Sequence, residues 1–99
     1  MSVGIKFNTA KKIDFEVRSL RDSRYYKVLN FLRLHDNMAF KSKTTLYCAI
    51  GLSDKEFHCN WGKVIGELVS LAVKEEYVKL LTTAEVRKEN LPIYVENYD

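Results

Sequence analysis

Cysteine, proline and glycine are all scarce in this 99-residue chain, with two, one and four copies respectively. Two cysteines, Cys48 and Cys59, are too few for a disulfide framework, so an intracellular, cytoplasmic and reducing setting is expected. The glycines stand apart at 4, 51, 62 and 66, which excludes a glycine-rich phosphate loop. No apolar run approaches the ~18 to 20 residues that span a bilayer. The first residues, MSVGIKFNTAKK, lack the continuous apolar core of a signal peptide. Repeats, low-complexity tracts and interdomain linkers are absent too, so the expectation is one domain over residues 1–99. What is present is an ordinary globular balance, 46% hydrophobic and 29% charged.

Charge is spread unevenly. Residues 1–50 carry ten basic and four acidic side chains, whereas residues 51–99 carry six and nine. A chain with a net charge of only +3 can therefore present one positive face, the electrostatic precondition for binding a polyanion. The plainer alternative is that scattered lysines keep a small domain in solution.

Periodicity divides the chain. Val3, Ile5 and Phe7 alternate with polar residues, as do Ile13, Phe15 and Val17, and Asn8 to Lys12 between them predicts a hairpin within residues 1–20. From Ser23 the period becomes helical, with Tyr25, Val28, Leu29 and Leu32 on one face, Asp22 or Ser23 as cap, and an end near His35-Asp36-Asn37. Residues 42–50 fit either a strand or a short helix capped by Ser42 and stopped at Gly51. Ser53-Asp54-Lys55-Glu56 matches the S-x-x-E capping box, and Phe57, Trp61, Val64, Ile65, Leu68 and Ala72 follow at helical spacing. Gly62 weakens that segment, so two pieces with Asn60 recapping the second are an alternative. Tyr77–Thr83 and Leu91–Val95 read as strands, the second near an edge because of Pro92, with a polar loop at Glu85–Asn90.

This order resembles the winged helix-turn-helix family over about Arg24–Val95. The residues that carry the resemblance are Ala49-Ile50-Gly51-Leu52-Ser53, which look like the turn between the second and third helices. Leu68-Val69-Ser70-Leu71 with Glu75-Glu76-Tyr77-Val78-Lys79-Leu80 resemble the third helix running into the first wing strand. The resemblance implies an α+β fold of three helices plus a C-terminal β-hairpin wing over residues 21–99, with an extra N-terminal β-hairpin over residues 1–20. Two features depart from the family pattern. Ser53–Glu75 is long for a recognition helix, and its first half mixes His58, Asn60 and Lys63 with Asp54 and Glu56.

If the long helix enters a major groove, Asn60 and Lys63 face base edges or phosphates. Lys41, Ser42, Lys43 and Thr44 then hold phosphates at the start of the second helix, and Arg87 and Lys88 sit where a wing tip belongs. Singly, each lysine or arginine reads rather as a solvated surface charge, and the DNA expectation rests on the three clusters sharing one face. Arg21, Arg24 and Lys27 form another basic row, which either adds a phosphate contact or, the favoured alternative, balances Asp14, Glu16 and Asp22. Tyr25 and Trp61 lie on apolar stripes and belong to the core rather than to a base-stacking platform. Cys48, Cys59, His35 and His58 lack metal-ligand spacing, so no metal and no cofactor are expected, nor any catalytic residue. The leading expectation is a sequence-specific double-stranded DNA-binding protein, a small transcriptional regulator acting as a homodimer. Pairing through the N-terminal hairpin is the expected dimer contact. The alternative is a protein-interaction module on the same shape, without DNA contact. Lysine outnumbers arginine and tyrosine is frequent, a composition compatible with a viral or plasmid product that modulates a host protein.

Overall fold

The computed structural model describes residues 2–11, 23–57 and 61–95. Along the chain these form β1 (Val3–Phe7), α1 (Ser23–Leu34), β2 (Met38–Phe40), α2 (Lys43–Leu52), a 3-10 turn (Lys55–Phe57), α3 (Trp61–Lys74), β3 (Val78–Leu81) and α4 (Thr83–Glu89). The described residues are thus a small α+β domain of four α-helices and a three-stranded antiparallel sheet in the order β2-β1-β3.

Strand alternation divides the protein into layers, because successive side chains point to opposite faces. Val3, Ile5 and Phe7 of β1 join Phe40 and Val78 in the main core, against Tyr25, Leu29 and Leu32 of α1, Leu46 and Ile50 of α2, and Ile65 and Val69 of α3. The helical stripe of α1 is buried as its spacing requires, and α1 ends at Leu34, before the turn at 35–37. On the other face Ala39, Leu81 and Val86 make a smaller cluster with Leu91. Gly4 is the contact point there. A Cβ on it would stand 2.8 Å from Val86 Cγ2 and 3.1 Å from Leu91 Cδ1. Only a residue without a side chain lets α4 lie this close to β1.

Several expectations change. The Ser42–Ile50 ambiguity resolves as helix. Ser42 caps α2, its Oγ accepting the Thr45 N–H at 3.1 Å, and Leu46, Ala49 and Ile50 are buried. Gly51 does not stop this helix, which runs to Leu52. Ser53 then closes it, donating from both its N–H (3.1 Å) and its hydroxyl (2.5 Å) to the Ile50 carbonyl. Its oxygen is therefore directed backwards, and the Ser53–Glu56 segment forms a C-cap and a single 3-10 turn rather than the start of the long helix. α3 is described from Trp61, and the residues that join it to the 3-10 turn, Asn60 among them, lie outside the described residues.

The C-terminal hairpin is replaced. Residues 83–89 are helix, not a wing loop, and residues 91–95 do not pair with β3. The strand antiparallel to β3 is β1, with Gly4 opposite Leu81 and Phe7 opposite Val78. On its other edge β1 pairs with β2, Val3 opposite Phe40. Pro92–Tyr94 instead lines the far side of β2, where the Ala39 N–H donates to Pro92 O (2.8 Å) and the Tyr94 N–H to Ala39 O (2.7 Å). The segment is therefore at an edge, as Pro92 suggested, but a parallel one two strands away from β3. Both edges of β1 are occupied within the chain, so β1 itself offers no edge for dimer pairing. The predicted second hairpin strand, Ile13–Val17, lies outside the described residues.

Candidate nucleic-acid interface

The start of α2 and the last turn of α4 bring cationic side chains to adjoining grooves. Ser42 is extended (φ −161°, ψ 169°) and spends its oxygen on the helix, so its role is to set the direction of α2. Exposed Lys41 and Lys43 flank it, and the first turn of α2 has no acidic residue. The positive end of the helix dipole therefore adds to two ammonium groups without a carboxylate to offset them. Thr44 follows, also exposed.

α4 owes its existence to a capping box that sequence reading passed over. In Thr82-Thr83-Ala84-Glu85 the Thr82 Oγ1 accepts the Glu85 N–H at 3.3 Å, and Glu85 Oε1 accepts the Thr82 N–H at 3.2 Å. Asn90 ends the helix in the left-handed region, φ 52°. Three contacts hold α4 to the sheet. Val86 fills the notch over Gly4, Glu85 pairs with Lys79 (3.6 Å), and Glu89 pairs with Lys6 (3.3 Å). Lys6 and Lys79 are cross-strand partners, so the two glutamates, one helical turn apart, also relieve a like-charge pair. The Thr82 backbone N–H holds the Glu85 carboxyl below its ordinary value of 4.5, assisted by the Thr82 hydroxyl and Lys79 and opposed by partial desolvation. With its acids turned to the sheet, α4 leaves Arg87 and Lys88 exposed in its last turn.

Between these elements lie two adjoining grooves of about 510 and 560 Å³, which share Ser2 and Thr83. Lys41 and Arg87 line the first, and Ser42 and Lys43 line the second. No described carboxylate lines either one. Ser2 and Thr83 are tied reciprocally, the Ser2 N–H donating to Thr83 Oγ1 and that hydroxyl to Ser2 O, both at 3.0 Å. Four of the predicted contact residues, Lys41, Ser42, Lys43 and Arg87, are thus brought together, although Lys41 and Arg87 are 46 positions apart in the sequence. Thr44 adjoins them along α2, and Lys88 follows Arg87 on α4 without lining a groove.

Lys63 lies apart. It is exposed on the first turn of α3 and lines neither groove; Glu67, Ser70 and Lys74 continue its face at helical spacing. Asn60 falls outside the described residues. Sequence reading did not single out Ser2, Thr83, Asn90 or Ile93 as groove-lining residues; the Thr82–Glu85 spacing was the one available signal, because it predicts the helix that gathers them.

Other basic residues are engaged elsewhere. Lys27 pairs with Asp54 at 2.9 Å, joining α1 to the turn after α2, while Arg21, Asp14, Glu16 and Asp22 lie outside the described residues. Lys11 donates to the Glu75 carbonyl and lies 4.3 Å over the Tyr77 ring. Lys41, Lys43, Arg87 and Lys88 make no ion pair among the described residues. Tyr25 is a core residue, as expected, with its hydroxyl donating to Glu75 at 2.6 Å. His35 stacks on Phe31 at 3.9 Å, and its Nδ1 lies 2.8 Å from the Phe31 carbonyl. No group of three potential metal ligands occurs among the described residues, and no described helix is long and apolar enough to cross a membrane.

No family model, curated protein or solved structure matches the chain.

Proposed function

We propose that this chain binds double-stranded DNA as a small regulator of transcription, through a winged-helix-like arrangement. The observation that carries the reading is the gathering of Lys41, Lys43 and Arg87 around two grooves free of described carboxylates. The element order supports it as well: α1, α2 and α3 precede β3, and β1 supplies the antiparallel partner that a wing hairpin would otherwise provide. On this reading α3 lies in the major groove with Lys63 at its leading end. Lys41, Lys43 and Thr44 meet phosphates on one strand, and Arg87 and Lys88 meet the backbone across the groove.

Helical geometry supports a phosphate-contacting role for α4. An α-helix with its side chains is about 10–12 Å across, and the B-DNA minor groove is roughly 6 Å wide. α4 does not thread that groove as a flexible loop would, so Arg87 and Lys88 contact phosphates and contribute affinity without base selectivity. Selectivity then requires a two-fold dimer on paired half-sites. Its strand-pairing surface would be an outer edge of the sheet, since β1 is enclosed.

The test is a gel shift on random and selected duplexes at several salt concentrations. Four phosphate contacts give a log–log salt slope of about −3.6, and each lost contact reduces its magnitude by about 0.9. Arg87→Gln is expected to weaken all duplexes equally. Absence of binding at low salt overturns the reading.

One observation favours the second reading, a module that binds another protein. The exposed face of α3 alternates Lys63, Glu67, Ser70 and Lys74, with few groups suited to base edges. Capture of a protein partner through α3, unaffected by the double change Lys41→Glu/Lys43→Glu, would establish that function instead.

A further inference from the structure

We propose that the 510 Å³ groove between Lys41 and α4 is a binding site for a small phosphate-bearing ligand of nucleoside-monophosphate size. Its volume falls within the roughly 300–1,000 Å³ of small-ligand sites. Its lining is divided by chemistry. Lys41 and Arg87 supply two cations with no ion-pair partner among the described residues, enough for a phosphate dianion. Ser2 and Asn90 supply a hydroxyl and a carboxamide for sugar oxygens.

Val86, Leu91 and Ile93 supply an apolar wall for a flat ring. Ile93 is 54% exposed although its neighbours Pro92 and Tyr94 are fixed to Ala39 by backbone hydrogen bonds. The fold thus holds a large apolar side chain in water beside two unneutralised cations. Inorganic phosphate alone would leave that wall wet, and a purely apolar ligand would make no use of the charges. A heterocycle joined to a phosphate through a sugar matches both.

The walls are also pre-set. The Asn90 N–H donates to Arg87 O (3.2 Å), the Leu91 N–H to Val86 O (3.3 Å) and the Ala39 N–H to Pro92 O (2.8 Å), so little ordering remains to be done on binding. Because Lys41 and Arg87 also belong to the proposed DNA surface, ligand and duplex exclude one another. That competition rests on the DNA reading; the small-ligand site does not.

The experiment is an NMR amide titration of the full chain with AMP, inorganic phosphate and adenosine in turn, followed by a short duplex. AMP is expected to give saturable shifts at Lys41, Thr83, Arg87, Asn90 and Ile93, with affinity at least about tenfold above phosphate or adenosine alone, as a charged contact and an apolar contact each contribute. Arg87→Gln is expected to weaken AMP and phosphate alike. Ile93→Ala weakens AMP and leaves phosphate unchanged, and Lys55→Gln changes neither. AMP binding no tighter than phosphate, or shifts centred elsewhere, overturns the site. Duplex binding without AMP binding overturns the site and leaves the DNA reading intact. AMP binding without duplex binding supports the site and removes the DNA reading. If both bind, AMP is expected to displace the duplex.

Discussion

Glu76 occupies a position that glycine usually fills. Its φ is 65°, and the turn it makes closes α3 with the Glu76 N–H on Val73 O (3.1 Å) and the Tyr77 N–H on Ala72 O (2.9 Å). This is the Schellman arrangement, in which a left-handed residue with a Cβ costs about 1–2 kcal/mol. Glu76→Gly is therefore expected to stabilise the protein by about 0.5–1 kcal/mol, part of the relief being lost to the freer unfolded chain. Urea denaturation measures it, and a lower midpoint would contradict it. Gly4 is the opposite case, a true glycine requirement set by Val86, Leu91 and Leu81 rather than by backbone torsion. Gly4→Ala is expected to cost about 1–3 kcal/mol through overpacking, with α4 the first element to lose protection. Neither residue reveals its situation in the sequence, since Glu76 reads as surface charge and Gly4 as a gap in an apolar alternation. What constrains each is a turn or a neighbour that exists only after folding.

At the scale of elements, legibility followed hydrophobic content. α1 and α3 bury continuous stripes, so their period was plain in Tyr25, Val28, Leu29 and Leu32 and in Ile65, Val69 and Ala72. α4 buries Val86 alone and has no stripe to read; its signal is the cap. The same S/T-x-x-E pattern occurs at Ser53–Glu56, where the serine closes the helix before it, so the pattern alone does not say which side of a serine is helical. Thr82→Ala removes the α4 cap and is expected to cost about 1 kcal/mol locally, read as faster amide exchange from Val86 to Glu89.

Acid should loosen the same element. The folded-state value of Glu85 lies below 4.5, so its contribution is complete above that value and is lost as pH falls through the lower one. Exchange within α4 is expected to accelerate over that acidic window, and Glu85→Gln to flatten the Glu85 part of the dependence.

For the whole molecule the decisive facts are distant pairings, and these were the least legible. Val3–Phe7 announces a strand, but nothing local says that its partners begin at Met38 and Val78 rather than at Ile13. An adjacent alternating run is the cheaper partner in loop entropy, which is why a hairpin was expected. The α+β class survives that error because it depends on element types, and part of the cationic surface survives because Lys41–Lys43 and Arg87 reach the same grooves by another route. Lys41→Glu/Lys43→Glu is accordingly expected to abolish duplex binding while leaving the melting temperature within a few degrees of the parent, since both side chains are exposed. Circular dichroism alongside the gel shift checks both halves.

The middle strand of the sheet is also the first described element to leave the ribosome. It waits for more than seventy further residues before its second neighbour, β3, is made. Until then Ile5 and Phe7 have no finished interior to enter, so the nascent chain carries an adhesive segment over that stretch of synthesis.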